Sequence, residues 1–235
     1  MTAPAETVPL LHIWARQGEV TDTFESLMAR PGWGSRLAYW DEAEGDRDHR
    51  GVLWARMSQV LSSSGRPVGR PRRDLTHPAR QHTDMLYQHC VVGACPAQFS
   101  DGRHLYLTAP DEHLPDGRVR TARPPVCAAH AADYARTVPD HRAVLTRSPA
   151  PSGVLGVVFE ATAEGGVRVV EDGAERYVAY ADHDTLRWTL ATQLVRELTD
   201  CEPVDDLDPP LRAGQAHARP AVDLPLHDVK DDSPS

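Results

Sequence analysis

Cys90-Val91-Val92-Gly93-Ala94-Cys95 and, further along, Pro124-Pro125-Val126-Cys127-Ala128-Ala129-His130 are the two stretches whose reading decides how this chain folds. Together they spell C-x4-C, an intervening segment of residues 96–126, then C-x2-H. Three thiolates and one imidazole make a closed tetrahedral set for zinc. Gly93 lets the first pair turn back on itself. The i, i+3 spacing of Cys127 and His130 puts the second pair on one face of a helical turn. Cys90, Cys95, Cys127 and His130 are therefore the expected ligands of a structural Zn2+. His89, His104 and His113 are rivals for the fourth position, and His130 is preferred because it shares a turn with Cys127. The remaining cysteine, Cys201, stands apart. No hydrophobic signal peptide precedes the fold, so a disulfide framework is not expected.

Working outward, Ala97–Phe99, Ser100-Asp101-Gly102-Arg103 and His104–Thr108 read as strand, turn and strand. A polar loop (111–117) and a short strand (Arg118–Ala122) follow, and then a helix from Val126 to Arg136 that ends before Pro139. Knuckle, hairpin and ligand-bearing helix are the layout of a treble-clef-like zinc module. Upstream, Thr76-His77-Pro78 reads as a helix start, with Thr76 as cap and Pro78 in the first turn, and the helix runs to about Tyr87.

Towards the N-terminus, beyond a polar arm (1–7), the segments Val8–Trp14, Trp33–Trp40 and Gly51–Met57 carry the aromatic and branched residues of strands. The acidic turn 41–48 between the last two has the carboxylates for a hard cation, or equally for a solvated loop. Leu61–Arg73, rich in Ser, Pro, Gly and Arg, reads as a linker. From Arg66 to Arg80, five arginines against one aspartate give a local charge of +4. Arg66, Arg70, Arg72, Arg73 and Arg80 are thus candidate contacts to nucleic-acid phosphates, with a tether paired to the chain's own acidic loops as the other reading.

On the C-terminal side, Val154–Ala161, Val167–Val170 and Arg176–Ala181 read as antiparallel strands separated by glycine turns. Asp184 then caps an expected helix, Thr185–Asp200, whose Leu186, Leu190, Leu194 and Leu198 form one stripe. Such a helix would cover the sheet before it. From Glu202 onward, Pro, Asp and Ala predict a disordered acidic tail. The expected fold class is α+β: antiparallel strands, a central treble-clef-like zinc module and a C-terminal covering helix. The expected divisions are a β segment (1–60), an Arg/Pro-rich linker (61–75), the zinc module (76–140), strands plus helix (141–201) and the tail (202–235).

Hydrophobic content of 40% and charged content of 25% are those of an ordinary globular protein. A net charge of −9 argues against non-specific DNA binding by the chain as a whole. No apolar run is long enough to span a bilayer, so no membrane association is expected and the cytoplasm is the expected location.

Four stretches carry a resemblance: Arg36-Leu37-Ala38-Tyr39 through Gly51-Val52-Leu53-Trp54-Ala55-Arg56; His77-Pro78-Ala79-Arg80-Gln81; Pro124-Pro125-Val126-Cys127; and Leu186–Leu198. Over about residues 8–201 the chain resembles a family of uncharacterised actinomycete proteins with a central zinc knuckle. That family's first knuckle usually has two residues between its cysteines and its second usually ends in Cys. Cys95 and His130 would be substitutions within that pattern. The resemblance implies a zinc module and no activity.

Three functions follow from these features. The first is a zinc-stabilised, non-catalytic binding or regulatory protein, its partner a protein in preference to nucleic acid. The second is a metal-dependent nuclease of the HNH type, drawing on His104, Asp111 and His113, although no Asp-His pair directly follows the knuckle. The third, a zinc hydrolase or deaminase, lacks the His-x-Glu plus C-x2-C arrangement it needs.

Overall fold

The structure, a computed structural model, describes residues 10–207 apart from 33, 137, 139, 171, 172 and 206. Its elements are β1 (Trp14–Arg16), β2 (Leu27–Arg30), β3 (Arg36–Tyr39), β4 (Leu53–Trp54), β5 (Pro71–Thr76), α1 (Pro78–Tyr87), β6 (His104–Thr108), β7 (Val119–Thr121), α2 (Ala128–Ala135), β8 (Arg142–Thr146), β9 (Ser148–Ala161), β10 (Val167–Val169), β11 (Arg176–Ala179), α3 (His183–Leu186), β12 (Thr189–Thr199) and β13 (Glu202–Val204). The fold is mixed α+β with strands predominating.

The main sheet is built on the long antiparallel pairing of β9 with β12, running from Ser148 opposite Thr199 to Val158 opposite Thr189. Strands β10 and β11 both add to β9. On the far edge of β12 lie β4, parallel to it, and β7, antiparallel. Residues 53–54 near the N-terminus thus share a sheet with the C-terminal strands. A second sheet has the order β13-β8-β6, while β1–β5 and β2–β3 are separate two-stranded ribbons. Where β9 passes β12, Gly156 has no room for a side chain: a Cβ there would lie 2.5 Å from the Leu190 carbonyl oxygen.

The expected helix over 185–200 is corrected. The structure has only a four-residue turn at its start, α3, which shares Thr185 and Leu186 with it and is capped by the Asp182 side chain rather than by Asp184, and Thr189–Thr199 is a strand. A four-residue leucine spacing fits both readings, because an even step also returns to the same face of a strand. Thr189, Thr192, Val195 and Thr199 suit a pleated surface, and pairing with β9, β4 and β7 fixes the segment as a strand. The pairing slips between Ala191 and Gln193, so the stripe does not stay on one face. Leu190 packs with Leu37, Tyr39 and Leu53, whereas Leu194 packs with Val52, Met85 and Val154, and Leu198 with Tyr106 and Val144.

Between β4 and β7 the edge of β12 has a gap, and a side chain fills it. The amide of Gln81, fully buried on α1, accepts from Leu194 N–H at 2.8 Å and donates to Leu194 O at 2.9 Å and to Ala122 O at 2.7 Å. It does for one residue what a neighbouring strand would do. Arg196 holds the other end of α1, donating to the carbonyls of Met85 and Leu86 near its C-terminus. Those carbonyls have no partner within the helix, and a guanidinium also suits the negative end of the helix dipole.

The N-cap of α1 is His77, whose Nδ1 accepts from Arg80 N–H, with Pro78 next to it; Thr76, the expected cap, closes β5 instead. The linker reading of 61–75 is corrected in part: Pro71–Thr76 is a strand that pairs with β1 across a bulge, and Leu61 bridges Pro67. Pairings also cross the other expected divisions, since β8 joins β6 to β13. The tail expected from 202 is corrected at its start, where Glu202–Val204 is β13; residues 208–235 and the arm at 1–7 lie outside the described residues.

The acidic turn is not a cation site. Glu42 faces Arg36 and Arg47 at 3.0 Å each, and Asp46 faces Arg56 at 2.6 Å. The Arg56 guanidinium also lies over the Tyr39 ring, 4.0 Å from its centre. Guanidiniums already neutralise these carboxylates.

Candidate metal centre

The first two ligands sit in a self-closing turn. Cys90 N–H donates to Cys95 O at 2.7 Å and Ala94 N–H donates to Cys90 O at 2.8 Å, with His89 bridging Pro96 outside them. Gly93 faces the cluster so closely that a Cβ would lie 3.0 Å from His130 Cε1. The second two come from the start of α2, where Cys127 is the N-cap and His130 follows one turn on. The backbone of the turn is fixed by His130 N–H donating to Cys127 O at 3.0 Å.

The four ligand atoms, three Sγ and His130 Nδ1, all lie within 4.8 Å of one another. The sulfurs of Cys90, Cys95 and Cys127 are 3.5, 3.8 and 3.2 Å from His130 Nδ1, and Cys95 and Cys127 sulfurs are 3.6 Å apart. A tetrahedral ion with bonds of ~2.3 Å to sulfur and ~2.0–2.1 Å to nitrogen would separate such atoms by about 3.5–3.8 Å. The residues fit a metal ion without rearrangement of the backbone.

Their surroundings are apolar. Cys90 and Cys127 are buried in the same cluster as Leu105, Leu107, Val126 and Tyr134. Without a cation, the three sulfurs lie within hydrogen-bonding reach of one another and bias each other's ionisation. Hydrogen bonds from Cys90 and Cys95 pull the Cys127 thiol well below its ordinary range, helped by the His130 and Ala129 N–H groups of the helix start. The same contacts, with Cys127 and Cys90 as partners, push Cys95 far up. A divalent cation removes this conflict by binding all three as thiolates.

The rival histidines turn elsewhere. His89 lies 3.8 Å from Asp84 Oδ1, and His12 bonds the other oxygen of that buried carboxylate at 2.7 Å. His104 is buried in β6, its pKa held down to about 4 by burial and by nearby Arg196. His113 pairs through Nε2 with Thr108 Oγ1 at 2.9 Å. That hydroxyl already donates to Arg142 O, so His113 must be the donor in the pair. Cys201 packs against Tyr106, Val119, Val144 and Leu198, apart from the cluster.

Of the candidate phosphate contacts, Arg66, Arg70, Arg72 and Arg73 are exposed. Arg80 is corrected: its side chain is 4% exposed and grips Glu19, fully buried, with two bonds of 2.7 Å. Both partners are taken from water; Arg80 also donates to Trp14 O at 2.8 Å, while its Nε is buried without a partner. Glu19, held near a pKa of 2 against its burial by Arg80 and by the Arg16 and Val60 N–H groups, had no sequence signal pointing to it. Nor had Asp84, which sits in the middle of a helix.

Among the described residues no helix is long and apolar enough to cross a membrane. Compared with protein-family models, curated proteins and solved structures, the chain matches none of them.

Proposed function

We propose that the chain is a zinc-stabilised, non-catalytic binding or regulatory protein of the cytoplasm, with a protein as its partner. The observation that carries this reading is the closed Cys90–Cys95–Cys127–His130 set, four ligands at tetrahedral spacing inside the largest hydrophobic cluster. Four protein ligands leave no position for water or substrate, which is how structural zinc sites differ from catalytic ones. Zinc is preferred over other divalent ions because thiolate and imidazole ligands in a tetrahedron suit it. The order of knuckle, hairpin and ligand-bearing helix supports a treble-clef-like module.

The nuclease alternative draws on His104, Asp111 and His113. His104 is buried beside Arg196, and His113 lines a different cleft with His141 and Cys201, which favours the binding reading. X-ray absorption on the zinc-loaded protein tests the proposal. The expected coordination is three sulfurs at ~2.3 Å and one nitrogen at ~2.0–2.1 Å. An oxygen ligand from water would overturn the closed site and with it the non-catalytic role.

A further inference from the structure

A partner-binding protein needs a face for its partner, and one face differs from the rest of the surface. Three segments, 17–20, 58–61 and 66–70, are stitched together there by backbone hydrogen bonds. Ser58 N–H donates to Val20 O at 2.9 Å, Val68 N–H to Val60 O at 2.9 Å, and Gln17 N–H to Arg70 O at 2.8 Å. On this mat Val20, Val60, Leu61 and Val68 are exposed by 67, 36, 47 and 38%. The mat is anchored from below, because the buried Glu19 carboxylate accepts from Val60 N–H while it holds Arg80. The face is therefore preformed, which lowers the ordering cost of docking.

Its charge is as distinctive. Arg66, Arg70 and Arg72 are exposed, and among the described residues none of their guanidiniums meets a carboxylate. Several exposed arginines elsewhere do: Arg136 faces Asp133, Arg147 faces Asp101, Arg168 faces Glu160 and Arg187 faces Asp184, whereas Arg50 lies over the Tyr180 ring. Val60 and Val68 stand opposite each other across the backbone pairing of their segments, and exposed aliphatic groups together with arginine are the composition of protein interfaces. Edge protection explains part of the pattern, since Pro71, the bulge and Arg72–Arg73 all blunt the open side of β5. It does not explain Arg66 and Arg70, which flank Val68 in sequence while exposed Val60 pairs across from it.

We infer that this face docks an acidic segment of a partner protein, with carboxylates set on Arg66, Arg70 and Arg72 and interleaved aliphatic side chains set on Val60 and Val68. This rests on the binding role proposed above and names its surface and partner chemistry. Nucleic acid fits less well. Single strands are held by stacking on aromatic rings, and the quartet is aliphatic. A duplex would also extend over a chain of net charge −9, whereas a short peptide confines its charge to the patch.

The test is selection of a random 12-residue peptide library, displayed on phage, against the full-length metal-loaded protein. Enriched peptides should carry an excess of Asp and Glu interleaved with Leu, Ile or Val. As synthetic labelled peptides they should lose at least about tenfold in affinity to Arg66→Glu/Arg70→Glu/Arg72→Glu, and about fivefold to Val60→Ser/Val68→Ser. Both variants should keep full metal content and cooperative unfolding, since none of these side chains belongs to the buried clusters or to the ligand set. No enrichment, enrichment without acidic excess, or undiminished binding to the charge-reversed variant would overturn the inference. So would tighter binding of a 20-nucleotide single strand or duplex to the same arginines. Metal content separates the two claims: a metal-free native protein defeats the structural-zinc reading, whereas a metal-loaded protein without acidic binders defeats only the docking face.

Discussion

Replacing Gln81 by Met keeps the volume and the apolar stem and removes only the amide. Two buried backbone groups, Leu194 N–H and Leu194 O, and the half-buried Ala122 O then lose a partner now held at 2.8, 2.9 and 2.7 Å. An orphaned buried donor or acceptor costs about 1–3 kcal/mol, with carbonyls at the low end because they keep a second lone pair. The expected loss is therefore about 3–5 kcal/mol, a large part of the ~5–15 kcal/mol that holds a typical domain folded. Urea unfolding followed by tryptophan fluorescence should show a lower midpoint with an unchanged slope. In native-state hydrogen exchange the Leu194 amide should lose more protection than the amides of β8. Metal content should not change, because Gln81 lies outside the ligand cluster. A loss below about 0.5 kcal/mol would refute the idea that this side chain stands in for a strand.

Arg80→Met should cost about 3–5 kcal/mol by leaving the Glu19 carboxylate buried without its cation, and Arg80→Met/Glu19→Leu should recover much of that; equal losses in calorimetry of single and double variants would contradict it. Cys201→Ser should leave metal stoichiometry unchanged, as measured by elemental analysis, since Cys201 packs away from the ligands. His77, fully buried, has its pKa pressed from 6.5 down to about 4 by burial and then by Arg80. The unfolded state therefore binds more protons between those values, so the His77 contribution is complete above pH 6.5 and is lost as pH falls through about 4, by roughly 3 kcal/mol in all. His77→Asn keeps a capping acceptor and does not titrate; its unfolding midpoint should fall less than the wild type's between pH 6.5 and 4.5, and parallel curves would contradict this.

What the sequence made legible was local. The ligand set could be read because ligand chemistry tolerates few residue types and the spacing of Cys127 and His130 is that of one helical turn. Strand β6 and helix α1 were bounded by Gly, Pro and a polar cap, which act within a few residues. The misreadings share a different cause. Thr189–Thr199 has a leucine spacing compatible with two periods, and only the arrival of β4, β7 and β9 from distant parts of the chain decides between them. Arg80 looked like part of a basic run because its partner, Glu19, lies far away in sequence. Gln81 has no pattern at all, since its meaning depends on a gap in a sheet edge formed more than a hundred residues later.

Elemental analysis of the purified full-length protein, before and after treatment with a strong chelator, tests the central claim most directly. About one zinc per chain is expected. Chelation, or Cys127→Ser, should remove the metal and collapse the cluster around Leu105, Val126 and Tyr134, with loss of cooperative thermal unfolding, because part of the folding free energy is the metal's binding free energy. A protein that is metal-free as isolated, or that unfolds at the same temperature with and without its metal, would contradict the account.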